Sequence, residues 1–519
     1  SCKMRLYPPV SRSMEQIDLG EIVKFKKLDQ FSAAELIRQN EILESELSKA
    51  IKEIYRLKYQ TLTEEQLNIV LQEHLNELRH NMFGASSERY KKPIKEKSEE
   101  PKGPRVKKPS QRYPGVVIRE IPVQYNPAPG CDACGKLMSD SGMTEDSEQL
   151  TVTPKKYEIL KYMRSIYRCS CQSCMKTAPT VPRIVEGSTY SDEMIMDVSL
   201  SKYCDLIPIE RYVQMAARSG LINLPPNTLY DLTHRFAFFI KEVYRRIGTG
   251  VFTSRLIFAD ETPHKMLEGS DKRNWYLWGF STKTLCYFEC RDTRSGDVVI
   301  APLINSRCEI LVSDVFSGYQ RAVRLTNIER QKLGEKLIQN ANCNAHARRN
   351  FFKLRFKYPE SCFYLDHYHE IYQLEPSAAE NKTLDEIKEL RQKMRIRFEL
   401  MKGKAEEELS RYFKGNKYFL ALNYFLNNFE GLTLCLEDPE IPLDNNSQER
   451  LFRPHVVGRK TWYGTHSEQG SETAAILFSI VGTCKLNKVN PREYFPALVK
   501  SILNRGPAFT PAEWKDQKL

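Results

Sequence analysis

The chain has 519 residues and a mass of 60.4 kDa, with 41% hydrophobic and 28% charged residues. These are globular values in a chain too long for one core, so several domains of roughly 100–200 residues are expected. Seventy-eight Lys and Arg against 66 Asp and Glu give a net charge of +12 and a pI near 8.9, which favours a polyanionic partner such as nucleic acid. No apolar run reaches the roughly 18 residues of a membrane span and the N-terminal segment has no signal-peptide pattern, so a cytoplasmic protein with no membrane partner is expected.

Residues 1–32 show no period and are left unassigned. Residues 33–90 carry a heptad, with Asn40, Leu47 and Ile54 on one seam position and Leu43, Ala50 and Leu57 on the other. It reads as a coiled-coil-like oligomerisation or DNA-binding region, or as an amphipathic helix packed on its own domain. Residues 91–120 form a basic, proline-rich linker, with nine Lys or Arg against three Glu between positions 91 and 112; such a stretch cannot bury a core. Residues 121–182 contain Cys131-Asp132-Ala133-Cys134 and, 36 residues further on, Cys171-Gln172-Ser173-Cys174. Two such pairs suit a closed tetrahedral thiolate site, so a structural Zn²⁺ module is expected, with Cys169 a possible substitute for Cys171.

Residues 183–250 turn helical, with helices expected over 194–204, 209–219 and 226–244. With Lys202 and Arg211 aboard, they fit either a helix-turn-helix reader of DNA or a plain packing unit. From 251 to 363 the pattern is that of a mixed sheet, with strands expected over 255–259, 275–281, 285–291 and 309–312. The first ends at Asp260 and the last at Asp314, which places both acids at the sheet rim. Residues 364–428 read as a helical insertion, opened in part by the capping box from Thr383 to Glu386. Residues 429–480 close the core with a helix started by Asn445, Asn446 and Ser447 and carrying Glu449, and 481–519 form a helical tail.

Asp260, Asp314 and Glu449 form a candidate three-carboxylate site. Without histidine or thiolate donors it would select a hard cation, Mg²⁺ or Mn²⁺, and two ions roughly 3.5–4 Å apart would serve an in-line displacement at phosphorus. Glu261, Asp444 and Glu375 are rival acids. Arg450, Arg453, Arg459 and Lys460 crowd around Glu449, and Arg348 and Arg349 follow the Cys343-x-x-His346 pair; all six are candidate DNA contacts. Trp462 would stack on an unpaired base or plug the core. The Cys343 and His346 pair could be half of a metal site, with a structural role the plainer reading.

In this order the motifs resemble the DDE transposase of the bacterial insertion-sequence family numbered sixty-six. The resemblance runs through Phe83-Gly84-Ala85-Ser86-Ser87-Glu88, the cysteine knuckles, Lys202-Tyr203-Cys204-Asp205-Leu206-Ile207-Pro208 and Ala259-Asp260-Glu261-Thr262. It continues through Asp314-Val315-Phe316-Ser317-Gly318-Tyr319, Asp444-Asn445-Asn446-Ser447-Gln448-Glu449-Arg450 and Arg459-Lys460-Thr461-Trp462. It implies a multidomain α+β chain with an RNase H-like core, a helical insertion before the Glu, and two-metal cleavage and strand transfer at terminal inverted repeats, with Asp260, Asp314 and Glu449 as the acids. It also implies double-stranded DNA as partner, a homo-dimer or higher oligomer, small accessory proteins of the same element, and a nucleoid-associated location. A catalytically inactive DNA-binding regulator and an RNase H-like structure-specific nuclease are the alternatives. Asn342 and Asn344 depart from the family pattern, which tends to have a glycine and an aromatic residue there.

Overall fold

The computed structural model describes residues 108–113, 116–122, 128–139, 147–152, 155–168, 170, 174–268, 274–375 and 383–518, and the single positions 45, 49, 69 and 72, which are helical. The expected coil over 33–90 otherwise lies outside the described residues, as do residues 1–32, most of the linker, and Cys169 and Cys171.

The fold is mixed α+β. In chain order its elements are β1 (Ile166–Arg168), β2 (Met175–Thr177), α1 (Asp192–Tyr203), α2 (Ile209–Arg218), α3 (Pro226–Phe239), α4 (Lys241–Phe252), β3 (Leu256–Lys265), β4 (Asn274–Ser281) and β5 (Cys286–Arg291). There follow α5 (Asp297–Ile304), β6 (Ile310–Ser313), α6 (Ser317–Leu333), β7 (Gln339–Asn342), α7 (Asn344–Leu354), α8 (Ser361–Leu374), α9 (Leu384–Leu409), α10 (Lys417–Asn427) and α11 (Phe429–Thr433). The chain ends with α12 (Asn446–Trp462), α13 (Glu468–Leu486), α14 (Pro491–Leu503) and α15 (Pro511–Lys518). Two compact units result. The larger comprises Ser86–Leu311, Phe316–Ile338 and Asn446–Leu519; the smaller contains Val312–Val315 and Gln339–Asn445, grouped with Ser1–Ala85.

In the larger unit β3, β4 and β5 form an antiparallel meander. The amides of Glu309 and Ile310 both donate to the Arg255 carbonyl, at 2.8 and 3.0 Å, so β6 starts beside the start of β3. Strand alternation sorts the residues. Ile257, Ala259, Trp278 and Phe280 pack with Val299 and Leu303 of α5 and Tyr319 and Ala322 of α6. Leu277, Cys286 and Phe288 face the other way, toward Leu451 and Phe452 of α12 and a helical layer drawn from α1, α3, α4, α13 and α14. The edge of β5 is covered: the Phe288 amide donates to Ser479 Oγ at 2.8 Å and the Cys286 amide to Thr483 Oγ1 at 3.1 Å. Ser479 and Thr483 sit one turn apart on α13, matching the alternate outward amides of an edge strand, which would otherwise invite pairing with another chain.

The helices expected over 183–250 are present, with one difference. The third breaks at Ile240, whose φ of −98° and ψ of 11° end α3 and begin α4. Ser191 caps α1, its Oγ accepting the Met194 amide at 3.3 Å, with Asp192 and Glu193 in the first turn.

In the smaller unit β7 lies beside the end of β6, tied by Ser313 Oγ donating to Asn340 Oδ1 at 3.0 Å and by the Cys343 amide donating to the Ser313 carbonyl at 3.0 Å. The helices α7 to α11 fill the rest. Thr383 and Glu386 close the expected capping box on α9. Along α9, Arg391, Met394, Phe398, Met401, Ala405 and Glu408 are buried at helical spacing. The two charged members are paired. Arg391 grips Glu375 at 2.6 and 3.1 Å and the Ile441 carbonyl at 3.1 Å, while Glu408 accepts the hydroxyls of Tyr364 and Tyr418 at 3.0 and 2.7 Å.

Candidate active site

Asp260 does not end its strand, as the sequence suggested. β3 continues to Lys265, because Thr262, Pro263 and His264 keep pairing with β4. Asp260 stands directly across from Gly279, and opposed residues of an antiparallel pair point to the same face. A Cβ on Gly279 would run into the Gln448 amide and come within 2.6 Å of the Phe452 ring, so that face carries α12 and admits only glycine at this point. Ser281, on the same face, donates to Gln448 Oε1. Asp260 therefore shares one face of the sheet with the first turn of α12, in which Glu449 follows Gln448. The half-buried Asp260 accepts the Glu261 amide on Oδ1 at 2.9 Å, which fixes the carboxyl against its own backbone.

Glu261 points to the opposite face. Its Oε1 accepts Nε and Nη2 of Arg294 at 2.9 and 2.7 Å and its Oε2 accepts the Tyr319 hydroxyl at 2.7 Å; its side chain is 2% exposed. Of the other rivals, Glu375 is held by Arg391. Asp444 accepts the Tyr372 hydroxyl at 3.0 Å.

The inner face of α12 is Gln448, Leu451, Phe452, His455 and Gly458, all buried. Glu449 is half-buried beside it, and Arg450, Arg453 and Lys460 are exposed on the outer side. A buried histidine pair ties α12 to β3: His264 Nδ1 lies 3.0 Å from His455 Nε2, and His264 Nε2 lies 2.8 Å from Thr465 Oγ1. Since the Thr465 hydroxyl points to the Met266 sulfur, the network assigns the His264 proton to Nε2 and has His455 Nε2–H donate to His264 Nδ1. Burial, then the nearby Arg459 charge, lowers His264 to about 4; His455 is likewise depressed, by burial first. Arg459 itself is half-buried and donates to the Pro263 carbonyl.

Asp314, in the smaller unit, directly follows β6, as expected. Its backbone carbonyl accepts Ser313 Oγ at 2.9 Å. Tyr424 of α10 lies within its electrostatic reach: burial raises the Tyr424 phenol, and the Asp314 carboxylate adds to the rise. The neighbouring Cys343 is buried, its thiol pushed up by burial, and its sulfur accepts the Asn445 amide at 3.2 Å. Asn344 bonds the Leu432 and Leu443 carbonyls at 2.8 and 3.1 Å, which gives this departure a clear structural job. Asn342 fits against Gly431, where any Cβ would strike its side chain.

The family model described as Transposase IS66 family matches residues 187–473, more than half of the chain and the whole stretch that holds these acids. The chain belongs to the IS66 transposase family. Relatives in Sinorhizobium fredii (strain NBRC 101917 / NGR234) bear the descriptions "Uncharacterized protein" y4hP, y4jD and y4qI. The first is 23% identical over 439 residues, 79% of this chain and 77% of that protein. The second is 25% identical over 418 residues, covering 75% and 79%, and the third 26% over 422 residues, covering 77% and 74%. Membership of a transposase family implies DNA as a partner. Among the described residues no helix is long and apolar enough to cross a membrane.

Two of the expected DNA contacts in this IS66 chain lie elsewhere than on an open surface. Lys202 is 9% exposed, with its ammonium 4.4 Å from the ring centroid of Tyr230, 5.4 Å from Tyr203 and 5.7 Å from Trp462. Burial lowers it to about 8, opposed by Glu210. Trp462 is half-buried and meets Tyr203 edge-on at 6.4 Å. Both serve the helical layer, the rings replacing water around the cation. Arg211 is exposed on α2, and Arg348 and Arg349 are half-buried on α7.

Cys131 to Gly135 form a tight turn. Gly135 donates to the Cys131 carbonyl at 2.8 Å with φ +69°, and the backbone amides of Ala133 and Cys134 lower the Cys131 thiol. Cys174 stands at the end of the loop closed by the β1–β2 pair Arg168 and Met175. A turn that favours thiolate fits Zn²⁺. Three carboxylates fit a hard divalent cation.

Sequence reading missed the His264–His455 pair and the Gln448–Ser281 tie. The buried stripe at 448, 451, 452, 455 and 458 was their signal.

Proposed function

We propose that the chain is a DNA transposase that cleaves DNA strands and transfers them at the terminal inverted repeats of its element, on an RNase H-like core with Asp260, Asp314 and Glu449 as the acids. The observation that carries the proposal is that Asp260 and the first turn of α12 occupy one face of the sheet, while Glu261 is committed to Arg294 and Tyr319 on the other. Asp260 is the fifth residue counted from the start of β3, and Asp314 is the fifth from the start of β6, which supports pairing the two in one role. The three acids would hold two ions of Mg²⁺ or Mn²⁺, which when bound supply charge neutralisation at the scissile phosphate and activation of the attacking water or 3′-hydroxyl.

The chain's own residues do the rest. The histidine pair and the Gln448 tie hold α12 against β3 and β4, so that Glu449 is presented from a fixed backbone. Arg450, Arg453 and Lys460 offer phosphates an exposed cationic side, with Arg459, Arg348, Arg349 and Arg211 as further contacts. Cys131, Cys134, Cys171 and Cys174 hold the structural Zn²⁺, with Cys169 the spare sulfur of the second knuckle. Self-association through residues 33–90 and binding of the element's small accessory proteins belong to the same proposal and rest on the sequence alone.

The test is a strand-cleavage and joining assay on DNA carrying the element's ends. Asp260→Asn, Asp314→Asn and Glu449→Gln are each expected to abolish both steps and leave end binding intact. Retained cleavage in these variants would refute the assignment of the acids. Wild-type protein that binds ends without cutting would mark a regulator, and cutting without end dependence or joining would mark a nuclease.

A further inference from the structure

The smaller unit contains a cleft of about 510 Å³ between α7 and α10. Its wall carries Asn350, Lys353, Lys357, Lys417, Leu420 and Tyr424, so three cations and no acid face the space. Lys353 and Lys417 are exposed, and among the described residues neither ammonium group makes an ion pair or hydrogen bond. Several other cations of this unit are paired with acids: Arg391 with Glu375, Arg395 with Glu437, Arg397 with Glu370 and Lys404 with Glu408. Like charges gathered around a cavity repel, and a protein tolerates the arrangement most readily where an anion is to enter. Apart from Asn350, the remaining wall is apolar or aromatic. Leu420 is 54% exposed although Tyr418, Ala421, Leu422 and Phe425 of the same helix are buried, and the half-buried Tyr424 lines the cleft beside it.

We propose that this cleft binds a nucleotide of an unpaired DNA strand, its phosphate against Lys353, Lys357 and Lys417 and its base against Leu420 and Tyr424. A cationic edge beside an aromatic and apolar wall is the chemistry of single-strand binding. The volume lies within the range of about 300–1,000 Å³ that holds small organic ligands, and a duplex would meet the lysines but leave the apolar wall unused. This deepens the transposase reading, on which it rests for the role of the strand, while the binding itself is independent of cleavage.

The test is fluorescence anisotropy of a labelled single-stranded thymidine oligonucleotide with the full-length protein in buffer without added Mg²⁺ or Mn²⁺, so that binding is read without catalysis. The double variant K353A/K417A is expected to bind at least tenfold more weakly, with the slope of log affinity against log salt smaller by about 1.4, at roughly 0.7 per phosphate contact on single strands. L420N, which removes the apolar contact without adding charge, is expected to weaken single-strand binding while leaving duplex binding unchanged. Both changes are at exposed positions, and an unaltered melting temperature shows that the variants are folded. Wild-type affinity and salt slope in K353A/K417A would overturn the proposal, as would an equal loss for single strand and duplex in L420N. Asp314→Asn separates the two readings: it should lose cleavage and keep oligonucleotide binding. If wild-type protein never cleaves yet binding still needs both lysines, the cleft stands and the catalytic reading falls.

Discussion

On one face of β3 and β4, Ile257, Ala259, Trp278 and Phe280 pack under α5 and α6, and the single acid there, Glu261, is fully taken up by Arg294 and Tyr319. On the other face Asp260, Gly279 and Ser281 meet the first turn of α12. Two carboxylates adjacent in sequence thus receive different work from strand alternation alone. The first face uses its acid to hold a helix and a loop in place. The second brings an acid to a helix that carries another acid and three exposed cations.

The largest effect that sharpens this contrast is on activity. Asp260→Asn should lower strand cleavage by about 1,000-fold, since a divalent ion contributes several kcal/mol of charge stabilisation, with the melting temperature nearly unchanged. Glu261→Gln should do the reverse: it weakens the buried ties to Arg294 and Tyr319, costs about 1–3 kcal/mol in chemical denaturation, and keeps cleavage per folded molecule.

The next effect concerns the histidine latch that holds the second face to α12. His264 has a folded-state pKa of about 4 against the ordinary 6.5, so the unfolded chain binds the proton more readily. Its contribution to stability is therefore complete above about pH 6.5 and declines as the pH falls toward 4, by about 3 kcal/mol at roughly 1.36 kcal/mol per unit. His455, also depressed, acts in the same direction. Denaturation midpoints measured between pH 7 and 4 check this, and the variant His264→Gln should flatten the profile. A profile equally steep in that variant would remove the latch from the explanation.

The smallest effect is at the sheet edge. Ser479→Ala leaves the Phe288 amide without its acceptor and should cost about 1 kcal/mol, with no effect on the acids. A loss of cleavage out of proportion to this cost would show that the two faces are coupled through β5.

Much of this was legible in the sequence because it is periodic. The first half of β3 and the strands at 274–281, 286–291 and 310–313 announce themselves as apolar and aromatic runs, and α9 by its capping box. β7 did not, because Gln339, Asn340, Ala341 and Asn342 form a polar strand, held in part by the Asn340–Ser313 bond rather than by an apolar face of its own. The extension of β3 past Asp260 was hidden by an acid pair and a proline, residues that local propensity places in turns. Pairing with β4 overrides that preference. Lys202 and Trp462 were left open between DNA contact and packing, because a lysine beside aromatic residues reads either way until the fold brings the rings around it. Asp260 was named from its motif with Glu261 as a rival, and only the register with β4 shows the two side chains on opposite faces of the sheet.

The account rests on Asp260 and Glu449 working from the same face of the sheet, and Mn²⁺ binding followed by electron paramagnetic resonance tests it most directly, because it reads the metal without requiring the correct DNA. Wild-type protein and Glu261→Gln should bind Mn²⁺ alike, whereas Asp260→Asn and Glu449→Gln should each bind at least tenfold more weakly. Unchanged binding in Asp260→Asn together with loss in Glu261→Gln would contradict it.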